Sequence, residues 1–160
     1  MSNSSLTAIL RREIISGVLI VIFFKRNYMN KENWKSKYFT AKEFECKCGC
    51  ETLEVDDSFL VKLERAREIA ETIDSEYCSY IPTSGCRCDK HNKSIGGKEH
   101  SLHKAGDGFI CHAVDLSANS DRKRAVVMIS LLMAGFMHLG VDKLFIHVDD
   151  SSKIGIWLYP

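Results

Sequence analysis

Apolar residues recur at steps of three and four between residues 57 and 73, and this spacing predicts a helix with one buried stripe. Asp56-Asp57 supplies a cap at its start. A second helix is predicted to begin at residue 120 or 121 and to run to about 134, because Gly135 is a typical stop signal. Thr40 through Phe44 has capping-box spacing and predicts a short helical turn. The stripe of the first helix comprises Phe59, Leu60, Leu63, Ala66, Ile69, Ala70 and Ile73.

Shorter runs of apolar residues predict strands over residues 80–84, 113–116 and 144–148. Residues 154–159 are expected to pair with the last of these as a closing hairpin. The stretch from Gly85 to Gly97 reads as a loop that ends at a pair of glycines. These elements predict an α+β fold in which two main helices pack on a small antiparallel sheet.

The N-terminal part of the chain differs in character from the rest. We predict an extension over residues 1–37 and one domain over residues 38–160. Residues 14–24 are apolar between basic pairs, but a membrane-spanning helix needs about 20 residues. The run matches a signal segment in length, although no cleavage site follows, and translation starting at Met29 is an alternative. We expect any membrane contact to lie in this run, and residues 25–42 to form a polar linker that ends near Tyr38-Phe39.

The composition and the net charge of the chain limit the classes of partner that it can bind. Hydrophobic residues make up 45% of the 160 and charged residues 27%, which is ordinary for a globular domain with a buried core. Lys and Arg number 22 against 21 Asp and Glu, so the net charge is +1. This balance argues against a nucleic-acid partner, and an anionic substrate has to be held by local charges.

The chain has 7 cysteines, and five of them lie in the runs 46–50 and 86–88. Such spacing is compatible with disulfides in an oxidising compartment or with metal-bound thiolates in a reducing one. Gaps of one residue are tighter than zinc ribbons usually show. We therefore favour a structural staple between the two runs over a second metal site, and a catalytic cysteine is the least favoured interpretation.

Three polar residues stand in contexts that suit metal ligands. His147 alternates with Ile146 and Val148 along a strand, so it faces a cleft if those two are in the core. Asp115 lies in an apolar strand, where an uncompensated carboxylate costs several kcal/mol, so a cation or a metal has to balance it unless it caps a turn. His103 lies in a polar loop, although His100 or His112 could replace it. Two imidazoles and a carboxylate leave one tetrahedral zinc position open, as in hydrolytic sites.

An ordered series of motifs resembles the zinc D-alanyl-D-alanine carboxypeptidase family of bacteria and their phages. The family typically shows Ser-Gly-Tyr-Arg, then Ser-x-His-x-x-Gly-x-Ala-x-Asp, then a strand of the type Phe-Val-His-Val-Asp. The resemblance covers roughly residues 38–159 and extends to the fold of phage endolysin peptidases and the hedgehog signalling domain. The matching stretches here are Ser84-Gly85-Cys86-Arg87-Cys88, His91-Asn92, Gly96-Gly97, Ser101-Leu102-His103, Gly106, Ala113-Val114-Asp115 and Phe145-Ile146-His147-Val148-Asp149.

This resemblance implies that His103, Asp115 and His147 bind Zn²⁺. It also implies that Arg87 holds the substrate and the developing oxyanion, for which a guanidinium fork is suited. In such a mechanism zinc activates water and a carboxylate carries the proton. Ser101 and His91 are expected at the rim of the cleft, where they orient the peptide.

The chain departs from the family pattern in two places. Residues 107–111 are an insertion between the first two ligands, which either bulges as a loop or misplaces His103. The acidic residue usual shortly before the last histidine is replaced, since Leu144 stands there. Asp142 is assigned as general base, with Asp149 as the weaker option.

The resemblance therefore implies a zinc metallopeptidase that cleaves peptidoglycan stem peptides, as a D-Ala-D-Ala carboxypeptidase or an L-Ala-D-Glu endopeptidase, and we expect it to be a monomer. It would act on the cell wall, exported, membrane-anchored or released as a phage-type lysis protein. One alternative is an inactive zinc-binding or wall-binding module of the same fold. Another is a cysteine-rich redox or structural protein with incidental histidines.

Overall fold

A computed structural model describes residues 27–160 in full and the backbone of residues 8–15 and 18–25. The two N-terminal segments, β1 (Ala8–Ile15) and β2 (Val18–Lys25), form an antiparallel pair. The side chains of the apolar run 14–24 lie outside the described residues, so its expected membrane contact stays a prediction. Among the residues described, no helix has the length and apolar character needed to cross a bilayer.

The predicted helices are confirmed. They are α1 (Ala41–Phe44), which has the capping box, α2 (Asp57–Ile73) and α4 (Asp121–Met133). The cap of α2 is Asp56, which accepts the Phe59 N–H at 2.9 Å. The predicted loop over 85–97 is wrong in its centre, where α3 (Asp89–Ser94) forms. This helix buries only Asn92, so it has no apolar periodicity by which the sequence could show it.

The strands build one small ladder and one larger sheet. The ladder pairs β3 (Tyr28–Met29) with β4 (Val55–Asp56). The five-stranded sheet has the order β5-β6-β8-β7-β9 and is antiparallel except between β7 and β9. Its strands are β5 (Pro82–Ser84), β6 (Ala113–Ser117), β7 (His138–Val141), β8 (Phe145–Asp149) and β9 (Gly155–Leu158).

The α+β class is confirmed, but the predicted closing hairpin is wrong. Strand β8 is flanked by β6 and β7, and β9 adds in parallel to the far edge of β7. The reason is β7 itself, whose Leu139 is fully buried and whose backbone forms the hairpin with β8. Since both edges of β8 are then paired, β9 cannot join it and adds instead to the outer edge of β7.

The core lies between the helices and one face of the sheet. Helix α2 packs against α4, and α4 against β8. The rings of Phe59 and Phe136 meet edge to face at 5.8 Å between centroids. The stripe predicted on α2 is buried from Phe59 to Ala70 apart from the half-buried Ile69, whereas Ile73 is exposed. The sheet contributes Val114, Leu116, Leu139, Ile146 and Val148.

Within the predicted linker over 25–42, residues 28–39 pack on this domain instead of lying free. Tyr28 and Met29 pair with β4, and Trp34 stacks against Phe44 with 5.5 Å between ring centroids. The Trp34 indole N–H donates to the Phe39 carbonyl at 2.9 Å. The expectation that the first ordered segment is Tyr38-Phe39 is therefore wrong, and the domain boundary at residue 37 stays a prediction.

Candidate metal centre

Strand register places the polar residues of the sheet in rows on the face opposite the core. Asp115 of β6 pairs with His147 of β8, which pairs with Gly140 of β7, and Gly140 pairs with Trp157 of β9. Directly paired residues point to the same side of a sheet. Because Ile146 and the other alternate residues are in the core, the row containing His147 faces outwards, as its alternation predicted.

His103, Asp115 and His147 meet in one cluster, which we call the His–Asp cluster. His147 Nδ1 lies 2.8 Å from Asp115 Oδ1 and 3.1 Å from His103 Nε2. His103 Nε2 lies 3.2 Å from the same carboxylate oxygen. One atom of each residue therefore faces a common point, and all three side chains are buried or nearly so.

Backbone groups of neighbouring residues hold both the ring and the main chain of His103 in place. Its Nδ1–H donates to the Gly85 carbonyl at 2.7 Å, which leaves Nε2 directed at the cluster. Its own carbonyl accepts the Arg87 N–H at 2.7 Å. A side chain at Gly85 would lie 2.8 Å from the Phe44 backbone, so only glycine allows this approach. The carbonyl is thus the acceptor that fixes the His103 tautomer.

Asp115 divides its two oxygens between the cluster and a cation. Oδ1 faces the imidazoles, while Oδ2 accepts from Arg87 Nη2 at 2.7 Å. Arg87 is held in turn by Ser84, whose Oγ accepts from Nε at 3.0 Å. Burial alone would raise the pKa of Asp115, but its close contacts with the His103 and His147 imidazoles outweigh burial and hold that pKa well below its usual range. The compensation that the apolar strand required is therefore present.

Asp149 orients the other histidine. His147 Nε2 lies 3.1 Å from Asp149 Oδ2, and the same oxygen lies 2.7 Å from His138 Nδ1. Burial lowers the pKa of His147, but its bonds to Asp115 and Asp149 dominate and raise it to about 8. Burial dominates for His103, whose pKa is lowered. A carboxylate behind a ligating imidazole is the usual way to fix ring orientation at a metal.

The insertion at 107–111 leaves the cluster intact, because it forms a tight turn. Gly106 and Phe109 exchange two backbone hydrogen bonds of 3.1 and 2.9 Å. Between them Asp107 has φ +52° and Gly108 φ +87°, the positive values of a type I′ turn. The chain then returns to β4 through Cys111, whose N–H donates to Glu54 at 2.8 Å. The Asp-Gly pair is the sequence signal of such a turn.

The His–Asp cluster opens into a cleft of about 340 Å³. Trp157 and Tyr159 form an aromatic wall, in which Trp157 lies 4.5 Å from the His138 ring and 5.5 Å from the His147 ring. A side chain at Gly140 would meet the Trp157 ring at 2.5 Å, so glycine makes room for this wall. The cleft is also lined by Arg87, Gly96, Gly97, Lys98, His100, Ser101 and Leu102.

Not every residue named from the sequence lies here. Arg87 and Ser101 line the cleft, and their roles toward the substrate stay predictions. Asp142 does not line it, because it caps the turn between β7 and β8 by accepting the Leu144 N–H at 2.8 Å. His91 lies elsewhere too, with Nδ1 3.2 Å from the Cys46 sulfur. Asp149, the weaker option for the base, is the carboxylate that lies beside the cluster, and the identity of the base stays a prediction.

Sequence reasoning missed His138, Trp157 and Tyr159. The apolar run around His138, just after the second helix ends, was the available signal for a strand at the site. No comparable signal existed for the aromatic residues, since they reach the cleft only through the parallel pairing of β9 with β7.

Comparison with known families gives one match. The sequence model of the family described as Peptidase M15 matches residues 37–149, which include His103, Asp115 and His147. The chain belongs to the peptidase M15 family. A search of curated proteins and a search of solved structures each give no match.

The donor set of this M15 peptidase fits the zinc on which the family's hydrolysis depends. Its three ligand atoms come from two imidazoles and one carboxylate and lie within 4.8 Å of one another. Gly85 and Asp149 supply hydrogen-bond acceptors behind the two histidines. Membership in this family makes the chain a metallopeptidase.

Proposed function

We propose that the chain is a zinc-dependent peptidase that hydrolyses peptidoglycan stem peptides. The observation that carries this proposal is the convergence of His103, Asp115 and His147 on one point at the floor of an open cleft. These residues would hold the ion. When bound, zinc supplies an activated water molecule and polarises the scissile carbonyl.

Arg87 is the group that meets charge developing on the substrate. Its Nε–H donates to Ser84 Oγ, and one Nη2–H donates to Asp115 Oδ2. These two bonds fix the plane of the guanidinium before substrate arrives. The guanidinium has five N–H donors, so donors remain for a substrate in the cleft that Arg87 lines. Donors positioned in advance stabilise an oxyanion without reorganising during the reaction.

The pair of His138 and Asp149 is the best-placed group to carry a proton. His138 lines the cleft, and its Nδ1 lies 2.7 Å from the Asp149 carboxylate. An imidazole held in this way by a carboxylate is a common general base, because the second ring nitrogen is then free to accept a proton. We infer that this pair takes the role that sequence reasoning gave to Asp142.

The walls of the cleft suit a short anionic peptide. Lys98 and Lys153 line it together with Arg87, while its acidic residues Asp115 and Asp149 are already paired. The two lysines beside an aromatic wall favour a substrate with a free carboxylate near the bond to be cut. Stem peptides carry such carboxylates at their D-alanine end and at their D-glutamate.

The test compares zinc content and peptide hydrolysis in the wild type, His147→Ala and the control His112→Ala. His112 lies outside the cleft, so its loss removes an imidazole without touching the cluster. We expect cleft zinc and hydrolysis of D-Ala-D-Ala or L-Ala-D-Glu peptides to disappear only in His147→Ala. Zinc binding without cleavage of either peptide would favour the inactive binding module. A chain whose zinc content is unaffected by His147→Ala would refute the site.

A substrate in the cell wall also sets where the enzyme works. We infer that a monomer acts on the wall, either exported, membrane-anchored through its N-terminal segment, or released at lysis, and that its domain shares the hedgehog-like fold. Cell fractionation of the full chain separates the first two cases from the third. A solved structure of the zinc-loaded protein tests the fold.

A further inference from the structure

Four cysteine sulfurs converge at a second place, which we call the thiol cluster. Cys46, Cys48, Cys50 and Cys88 place their sulfurs within 4.8 Å of one another. The sulfurs of Cys46 and Cys48 are 3.5 Å apart, and those of Cys48 and Cys88 are 3.7 Å apart. The remaining cysteine of the second run, Cys86, is buried in the core and is not part of this group.

The loop conformation explains how such closely spaced cysteines meet. In an extended strand, residues two apart share a face but are separated by about 6.6 Å. Here Gly49 has φ +83° and Glu51 φ +60°, left-handed values that bend the chain. The Cys46 N–H then donates to the Thr52 carbonyl at 3.0 Å, which closes the loop around the sulfurs.

The separations match a tetrahedral metal better than a disulfide. Zinc–sulfur bonds of about 2.3 Å place the sulfurs of a tetrahedral site about 3.8 Å apart. A disulfide requires a separation of about 2.05 Å and joins only two sulfurs. Four sulfurs around one point are the donor set of a closed structural zinc site, which has no open position for water.

The surroundings of the thiol cluster supply hydrogen-bond donors. Backbone N–H groups can only donate, and they point at two of the sulfurs: Cys88 N–H to Cys46 at 3.4 Å and His91 N–H to Cys88 at 3.3 Å. The His91 ring nitrogen lies 3.2 Å from the Cys46 sulfur. Donors of this kind around metal-bound sulfur orient the ligands and balance their charge. His91, expected at the substrate cleft, thus belongs to this second site.

We propose that the thiol cluster binds a second, structural zinc ion through Cys46, Cys48, Cys50 and Cys88. The ion would join the loop after α1 to the start of α3. Arg87 directly precedes Cys88, and its backbone bonds to His103 and Ala105 at 2.7 and 3.0 Å. The site therefore supports the segment that carries Arg87 at the His–Asp cluster.

The test uses the full chain, purified under reducing conditions, and counts zinc per chain by elemental analysis. We expect two ions in the wild type and in the control Cys78→Ser, whose sulfur bonds the Ser75 carbonyl away from the thiol cluster. Cys48→Ser and His147→Ala should each lose one. Replacement of zinc by Co²⁺ should give an intense thiolate-to-cobalt absorption band in the wild type and His147→Ala, absent in Cys48→Ser.

Two measurements keep the result independent of folding in the cysteine variant. A mercurial reagent added to the wild type should release one zinc per chain. The variant His147→Ala should keep the cobalt–thiolate band, because all of its cysteines are unchanged. A wild type that holds the thiolate-bound zinc but no zinc at the His–Asp cluster would refute the proposed peptidase site and leave this proposal standing. The thiol cluster proposal is overturned if the mercurial releases no zinc, or if the wild type shows disulfides and no cobalt–thiolate band.

Discussion

Replacing Asp149 by Asn tests how the cleft holds its metal. Asp149 Oδ2 serves two imidazoles at once, His147 at 3.1 Å and His138 at 2.7 Å, and Oδ1 accepts the Ser151 N–H at 3.0 Å. An asparagine of the same shape keeps only one acceptor oxygen. If that oxygen stays on Ser151, an NH₂ group faces both imidazoles. If the amide turns over, the Ser151 bond is lost.

The magnitude follows from these contacts. A hydrogen bond to a charged group contributes about 1.5–3 kcal/mol. Loss of a carboxylate behind a metal-ligating histidine typically costs about 10- to 100-fold in metal affinity or activity, which is roughly 1.4–2.8 kcal/mol. We therefore expect Asp149→Asn to bind cleft zinc about 10- to 100-fold more weakly than the wild type, with a matching loss of hydrolysis at limiting zinc.

The assay is competition for zinc with a chromogenic chelator, after thermal unfolding has shown that the variant is folded. The matched control is Asp142→Asn, which removes a carboxylate from the turn between β7 and β8, outside the cleft. Unchanged zinc affinity in Asp149→Asn would refute the orienting role. Normal zinc binding but no hydrolysis in Asp142→Asn would instead restore Asp142 as the base.

Three further predictions concern the cleft. Gly140→Ala places a methyl group 2.5 Å from the Trp157 ring. We therefore expect urea titration to show a loss of about 1–3 kcal/mol in the free energy of unfolding, together with weaker substrate binding. The control Gly155→Ala, whose added methyl group has its nearest neighbour at 3.9 Å, should change neither quantity. His138→Gln should keep its zinc but lower kcat about a hundredfold or more, and an unchanged kcat would contradict its role as proton carrier. In the chelated protein, NMR titration should give His147 a pKa of about 8, above the ordinary 6.5. The raised pKa means that His147 contributes fully to the free energy of unfolding below about pH 6.5 and that this contribution is lost as the pH rises through 8. A free energy of unfolding that increases across this window would contradict the prediction.

Local patterns predicted the elements whose burial is periodic. Three features could be predicted because each depends on neighbours along the chain. They are the apolar stripe and cap of α2, the end of α4 at Gly135, and the alternation of Ile146 and Val148 around His147. Helix α3 and the mixed pairing of β9 could not be predicted. A polar helix shows no apolar period, and strand order depends on which edges are free after folding.

In the candidate site, too, some residues could be predicted from sequence motifs and others were placed only by the tertiary structure. Sequence motifs alone selected His103, Asp115, His147 and Arg87, since these residues stand in short contexts that resemble one peptidase family. Only the tertiary structure placed His138 and Trp157 beside them, turned the insertion into a tight hairpin, and moved His91 to the thiol cluster. The physical reason is that a site is made by register between strands distant in the chain. Pairing brings His147 next to Asp115 and Gly140, whereas no spacing along the sequence encodes that distance.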